Sequence, residues 1–94
     1  MAFVRAAALF RAAGDVSRLR LLYALSHDEW CVSELAESSR TKITTLSQQL
    51  RLLYNERVVE RRRDGNHIYY RLADKHVRDL VNAALEHASE PPAR

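Results

Sequence analysis

Four side chains that can bind a metal ion lie in the last predicted helix and at its two ends. They are two carboxylates and two imidazoles: Asp74, His76, His87 and Glu90. A helix turns by about 100° per residue, so the steps from His76 to His87 leave a net rotation of only about 20°. Both histidines therefore lie on one face, and Glu90 follows within reach of His87. Asp74 lies at the start of the helix, where its side chain can turn back towards His76.

One copy of this helix cannot bring both histidines to a single metal ion. They are about 16 Å apart along the axis, whereas zinc lies about 2 Å from its ligands. Two antiparallel copies would join Asp74 and His76 of one chain to His87 and Glu90 of the other, giving two equivalent sites per dimer. This donor set suits tetrahedral Zn²⁺, with Co²⁺ or Ni²⁺ as alternatives. From these residue types alone, four polar side chains on a solvent-facing helix are the more usual interpretation.

A second group of polar side chains lies on the fourth predicted helix. Apolar residues recur there at three- and four-residue steps and predict a buried stripe, made of Ile43, Leu46, Leu50 and Leu53. Short, neutral hydrogen-bonding side chains point away from it in the first two turns: Thr44, Thr45, Ser47, Gln48 and Gln49. Glutamine can pair bidentately with adenine, and threonine methyl groups can contact thymine. The pattern is typical of a recognition helix in the major groove of DNA.

Basic residues cluster around and after this helix, although the net charge is only +3. The group comprises Arg40, Lys42, Arg51, Arg57, Arg61, Arg62 and Arg63. Local clustering of this kind indicates a phosphate-binding surface. We expect Arg51, together with Arg61, Arg62 and Arg63 on the following hairpin, to contact double-stranded DNA. Taken alone, the helix is more simply interpreted as an ordinary polar face, and the basic run fits a solvated surface equally well. Together with the order of elements, they favour DNA binding.

The hydrophobic pattern predicts a single domain over residues 1–90, with a short tail at 91–94. Helix one ends at Gly14, and Asp15 caps helix two, whose apolar stripe is predicted to be Val16, Leu19, Leu22 and Tyr23. Ser33 is predicted to cap a short third helix. Residues 58–63 and 67–72 read as a β-hairpin around Asp64-Gly65-Asn66. Asp74 then caps a last helix that runs to about Ala88.

The order of elements is therefore helix, helix, helix, helix, hairpin, helix. This mainly α-helical layout (α-α-α-α-β-β-α) is that of a winged helix-turn-helix. A chain of 94 residues has a modest core, so a dimer interface would add useful burial.

Composition excludes several other classes of protein. Cys31 is the only cysteine, so no intrachain disulfide can form. The apolar stretch 2–13 is broken by Arg5 and Arg11 and is too short to span a bilayer, and no signal peptide is recognised. We therefore expect a cytoplasmic protein with no membrane partner and no small-molecule substrate.

Three runs of sequence resemble the ArsR/SmtB family of winged-helix metal-sensing repressors. Glu29 to Ala36 is similar to the family's helix-three signature, Leu46 to Leu53 to its recognition helix, and Arg63 to Leu72 to its wing. The likeness covers about positions 10 to 90. The turn from Ser38 to Lys42 departs from it, since it has neither a glycine nor a serine cap. We therefore leave the first residue of the recognition helix open.

The resemblance implies a function for these residues. It implies a homodimer joined through the first and last helices, and a repressor that leaves its operator when an effector binds. Asp74, His76, His87 and Glu90 match the last-helix zinc site of SmtB-type sensors. In the family's zinc sensors, a backbone carbonyl at the end of the recognition helix accepts a hydrogen bond from a zinc-bound histidine. The resemblance implies that the matching carbonyl here is that of Arg57.

Other functions are weaker on the same residues. Cys31 occupies a place where some family members bind metal near helix three, but Ser33 stands where a second thiol would be, so we interpret Cys31 as a small buried residue. A winged-helix regulator that answers to a non-metal or thiol-reactive signal is the main alternative. A metalloenzyme is disfavoured because no nucleophile lies beside a base. A plain dimerisation module would leave the Thr/Gln face and the arginines without a role.

Overall fold

The computed structural model describes residues 1–92, and the last two residues of the predicted tail lie outside this range. Five helices and three strands occur in the described part, in the order α1 Ala2–Ala13, α2 Val16–Leu25, β1 Trp30–Cys31, α3 Val32–Ser39, α4 Ile43–Asn55, β2 Val59–Asp64, β3 His67–Leu72 and α5 Lys75–Ala88. Between residues 1 and 92, no helix has the length and apolarity needed to cross a membrane.

The arrangement is a winged helix-turn-helix, which confirms the predicted fold class. Helices α3 and α4 form the helix-turn-helix, and strands β2 and β3 pair antiparallel as the wing. The sequence did not predict β1, which adds an antiparallel edge through Trp30–Tyr70 and Cys31–Tyr69 and gives the sheet order β1-β3-β2. Two residues are too few to display the alternation by which a strand is recognised.

Side-chain caps fix the starts of α2 and α5, as predicted. The Asp15 carboxylate accepts a hydrogen bond from the Arg18 N–H at 3.1 Å, and Asp74 accepts one from the Val77 N–H at 3.1 Å. The predicted Ser33 cap is wrong, because α3 begins at Val32 directly after Cys31, which provides no side-chain cap. Cys31 pairs with Tyr69 of β3 and α3 begins at the next residue, so Ser33 lies inside the first turn, whereas an N-cap residue has a non-helical backbone.

The buried stripe of α4 is confirmed at Leu46, Leu50 and Leu53, of which the last two are fully buried. It is wrong at Ile43, whose side chain is 50% exposed. Ile43 is the first residue of the helix, and helical side chains lean towards the N-terminus. The side chain therefore lies beyond the end of the core.

The predicted stripe of α2 is also partly wrong. Leu21, Leu22 and Leu25 are buried, whereas Val16 and Tyr23 are exposed. Apolar residues at positions 19, 21, 22, 23 and 25 allow more than one helical stripe. The choice is made by packing of α2 against α5 and β3, which the periodicity of α2 alone does not contain.

A tight C-terminal motif joins α4 to the wing. Arg57 has a left-handed backbone, with φ of 61°; its N–H donates to the Tyr54 carbonyl at 3.0 Å, and the Val58 N–H donates to the Leu53 carbonyl at 2.9 Å. This pair of bonds is a Schellman motif, and both Leu53 and Val58 are fully buried. The recognition helix and the wing are therefore held in one fixed relation.

Two leucines of α4 test this orientation of the helix. Leu50→Ala removes a fully buried side chain, and we expect it to lower the free energy of unfolding by about 2–5 kcal/mol. Leu52→Ala changes a side chain that is 39% exposed and should change it by about 0.5 kcal/mol or less. Urea unfolding at one fixed protein concentration compares them. Equal losses in the two variants would contradict the orientation.

Candidate nucleic-acid interface and metal centre

The outward face of α4 carries the polar side chains predicted to read DNA. Thr44, Gln48 and Arg51 are exposed and follow one another at four- and three-residue steps, opposite the buried leucines. Thr45 is also exposed, whereas Ser47 and Gln49 are half-buried on the two flanks. Three of the predicted residues therefore form a central line, with the other three beside it.

The N-terminus of α4 carries no side-chain cap. Lys42 precedes the helix with an extended backbone, and its side chain makes no capping hydrogen bond. The first amides of a helix need acceptors from outside it, and they favour anions. This end of α4 can therefore receive a phosphate as well as present Thr44 to a base.

Sequence reasoning missed one basic residue at this surface. Arg20 of α2 lines a groove between α2, α3 and α4, together with Ser17, Thr45 and Gln49. Its side chain is exposed and lies next to one flank of the recognition helix. Because α2 and α4 are distant in the sequence, no local pattern links Arg20 to the α4 surface.

The strand register divides the three wing arginines between two faces. Arg61 pairs with Tyr70 and Arg63 with Ile68, on the face that includes buried Val59, whereas Arg62 pairs with Tyr69 on the opposite face. The Arg61 guanidinium lies over the ring of Tyr54, with its Cζ 3.9 Å from the centroid. Since Tyr54 belongs to α4, the face that carries Arg61 and Arg63 is directed towards the recognition helix.

The guanidinium of Arg62 is held by contacts with other side chains of the protein. Its Nε and Nη2 donate to the two carboxylate oxygens of Glu29 at 2.9 Å and 2.6 Å, and its guanidinium stacks on Tyr69. Hydrogen bonding to Arg62 lowers the pKa of Glu29, and the same contact raises the pKa of Arg62. This ion pair connects the wing to the residue before β1 and offsets the charge of Arg62.

Cys31 is buried as predicted, with 3% of its surface exposed. Its thiol donates to the Glu34 carboxylate, with Sγ 3.1 Å from Oε1. Reactive thiols are accessible and lie in electropositive surroundings. Cys31, in contrast, is buried and its thiol lies beside a carboxylate.

The four predicted metal ligands form two pairs at opposite ends of α5. His76 Nδ1 lies 3.8 Å from Asp74 Oδ1, and His87 Nδ1 lies 3.5 Å from Glu90 Oε1. The histidine side chains are 94% and 87% exposed. Within residues 1–92 of one chain, no three potential ligands come together as a metal site. Two ligands from another molecule would be needed to complete either pair as a four-ligand site.

Between the two histidines, the same face of α5 carries small and apolar residues. Leu80 is half-buried and Ala83 and Ala84 are exposed, at helical positions between those of His76 and His87. Small side chains allow the axes of two packed helices to approach closely. A second α5 helix can therefore lie against this face.

Helix α1 continues this apolar surface. Phe3 is 92% exposed and Phe10 is 60% exposed, seven residues apart on one side of the helix. Phe10 also lines an apolar groove with Leu80 and Ala84 of α5. Exposed apolar surface of this extent is typical of an association site.

Comparisons with known proteins identify the family. Residues 15–61 match the family model described as bacterial regulatory protein, arsR family. The chain belongs to the arsR family. A transcriptional repressor SmtB homolog of Synechocystis is 43% identical, with 89% of this chain and 64% of the relative covered. A cadmium resistance transcriptional regulatory protein CadC homolog of Staphylococcus aureus is 38% identical, with 89% and 70% covered.

A solved structure agrees with the arsR fold. It is the homodimeric winged helix-turn-helix DNA-binding domain of a possible ArsR-family transcriptional regulator from Mycobacterium bovis, 30% identical with a TM-score of 0.89, covering 97% of this chain and 84% of that one. These relatives are regulators of transcription, so the prediction that this arsR chain is not an enzyme is confirmed. The chain spans about two thirds of the Synechocystis relative's length.

The contact between Glu29 and Arg62 predicts a pH-dependent stability. Because the pKa of Glu29 is lowered in the folded state, its contribution is present above the unfolded value of about 4.3 and is lost as the pH falls through the folded value. We therefore expect Glu29→Gln to lower Tm at pH 7, and the difference from wild type to shrink below about pH 4. Thermal unfolding across pH measures it. A Tm difference that persists unchanged at pH 3 would refute this role.

Proposed function

We propose that this chain is a homodimeric repressor that binds operator DNA when metal-free and is released by Zn²⁺ held between the two α5 helices. The observation that carries the proposal is the arrangement on α5: a His–carboxylate pair at each end of one helix face, separated by small apolar residues. The SmtB and CadC homologs, a repressor and a cadmium resistance regulator, support metal-responsive repression.

For DNA binding, α4 is the reading element. We infer that Thr44, Gln48 and Arg51 face the major groove, with Thr45, Ser47 and Gln49 at its sides. Arg61 and Arg63 share the wing face directed towards α4, so they are placed to bind phosphate. Arg62 should bind phosphate less strongly than Arg61 or Arg63, because its ion pair with Glu29 offsets its charge.

Two wing variants test this assignment. Each phosphate contact contributes about 0.9 to the slope of log affinity against log salt concentration. We expect Arg63→Ala to reduce that slope by about one contact, and Arg62→Ala to reduce it by less. Fluorescence anisotropy with a fixed random-sequence duplex over a salt series gives both slopes. A larger reduction for Arg62→Ala would reverse the assignment.

The dimer interface of the proposal consists of α1 and α5. Phe3 and Phe10 of α1 and the Leu80–Ala84 segment of α5 provide the apolar surface that a second copy would cover. In an antiparallel α5 pair, Asp74 and His76 of one protomer meet His87 and Glu90 of its partner.

The four side chains suit Zn²⁺ chemically. Two imidazoles and two carboxylates fill a tetrahedral site, and Co²⁺ or Ni²⁺ is accepted by the same donors. The Oδ1 atom of Asp74 caps α5, so its second oxygen is the one available to a metal. Both histidine rings are exposed and can rotate to present a nitrogen.

The link to DNA runs from α5 to the end of α4. A bound metal ion would orient the His87 ring through one nitrogen, leaving the other N–H to find an acceptor. We infer that this acceptor is the Arg57 carbonyl, which follows the last turn of α4. Val4 and Arg5 of α1 line the same groove as Arg57, so the proposed dimer helices also adjoin this turn. A coupling of about 1–3 kcal/mol would change DNA affinity about 5- to 150-fold.

The zinc site is tested by titrating the purified protein against a chromophoric chelator. We expect two competing sites per dimer in wild type and none in His87→Ala. His67→Ala, which removes an exposed histidine of the wing, serves as the matched control and should keep both sites. Failure of the wild type to compete for zinc, or retention of both sites in His87→Ala, would refute the site.

The relay has its own test. Arg57→Gly retains the backbone carbonyl and suits the left-handed φ of 61°, so zinc should still release DNA from this variant. His87→Ala should bind DNA but no longer respond to zinc. Release of DNA from His87→Ala by zinc would show that the signal takes another route.

A further inference from the structure

Ile43 is an unusual residue at the start of the recognition helix. In the first two turns of α4, it is the large apolar side chain that the core leaves uncovered: Ile43 is 50% exposed, against 2% for Leu46 and 0% for Leu50. Exposing a branched apolar side chain to water has a higher free energy than placing it against an apolar group. An apolar group of another molecule in contact with Ile43 would cover this exposed surface.

The direction of Ile43 follows from helix geometry. As the first residue of α4, it leans towards the N-terminal end, which is the end that approaches base edges in helix-turn-helix proteins. Ser47 and Tyr54 share its flank of the helix, at four and eleven residues further on. Tyr54 contacts Arg61, so Ile43 lies on the wing-side flank of α4, between the buried leucines and the reading face.

The chemistry of the major groove contains one apolar partner for such a side chain. Nitrogen and oxygen atoms line most of each base edge, whereas thymine also presents its C5 methyl group. The exposed neighbours Lys42 and Thr44 have polar ends that suit phosphates and base edges; Ile43 can offer only apolar contact. We propose that Ile43 is a specificity-determining residue that contacts a thymine methyl group in the operator.

This inference rests on the proposed DNA-binding function and adds a base preference to it. Cytosine lacks the methyl group, so contact with Ile43 favours a T·A pair over a C·G pair at one position of each half-site. The side chain contributes little to sequence-independent binding, since it carries no charge for phosphate. Its removal therefore changes which sequence is preferred more than whether DNA is bound.

The experiment uses duplex DNA selected from a randomised pool by the metal-free wild-type protein. Each conserved thymine of the selected duplex is replaced singly by deoxyuridine, which lacks only the methyl group. At one position we expect wild-type affinity to fall about fourfold, the effect of losing one buried methyl-sized contact. Ile43→Ala should bind the thymine duplex about as weakly as wild type binds the uracil duplex, and should not distinguish the two.

Two further variants keep the test specific. Ile43→Val retains a branched apolar side chain and should retain part of the methyl preference. Leu52→Ala removes an exposed apolar side chain from a later turn of α4, and its discrimination should equal that of wild type. Circular dichroism and Tm verify that each variant folds.

The outcomes separate the two claims. If Ile43→Ala discriminates thymine from uracil as strongly as wild type at every position, or wild type shows no preference at any, Ile43 does not read a methyl group, although DNA binding stands. If wild type enriches no duplex and binds DNA with no measurable affinity, the proposed function itself fails and the inference fails with it.

Discussion

The structure depends on the packing of Leu53 against Val58 at the turn where the recognition helix ends. Both side chains are fully buried, and the Val58 N–H closes the last turn of α4. The Val58 carbonyl also accepts a hydrogen bond from the Ala73 N–H at 3.0 Å, one residue before Asp74. A single buried junction thus fixes the end of the DNA-reading helix, the start of the wing, and the end of α5 that carries two proposed metal ligands.

This junction provides a route by which the proposed metal site and the proposed DNA surface would be coupled. A packed interior does not deform continuously, so in the proposed dimer a shift of α5 relative to its partner would be transmitted to α4 and β2 as a movement of the whole unit. The Schellman motif at Arg57 and the Arg62–Glu29 contact add further connections between the wing and the rest of the domain. We therefore expect metal binding to alter the distance between the two α4 helices of the proposed dimer more than the internal structure of either protomer.

Much of the fold follows from local sequence signals. Asp15 and Asp74 act as caps because a carboxylate beside free helix amides has few better partners, and Leu46, Leu50 and Leu53 are spaced at the helix period. The predictions from sequence are wrong where the local structure is determined by tertiary contacts. Strand β1 exists because β3 offers it an edge, and the inner face of α2 is chosen by α5 and β3.

In the candidate site, too, some features follow from local sequence and others depend on tertiary contacts. Residue types and helical spacing were enough to place the outward side chains on α4 and the two pairs of predicted ligands at the ends of α5. The pairing of Arg62 with Glu29 joins positions 33 residues apart, and the position of Arg20 beside α4 depends on helix packing. Local patterns contain neither fact. Ile43 fits the periodic stripe in every respect except that the core ends before it.

In the proposed dimer each metal site takes ligands from both protomers, and subunit mixing tests this arrangement most directly. The two double variants are Asp74→Ala/His76→Ala and His87→Ala/Glu90→Ala, and neither should bind zinc alone. In their heterodimer, one of the two sites regains all four native ligands, so zinc binding should return at one ion per heterodimer, with native mass spectrometry confirming subunit exchange. A heterodimer that forms but binds no more zinc than its parents would contradict the intersubunit site.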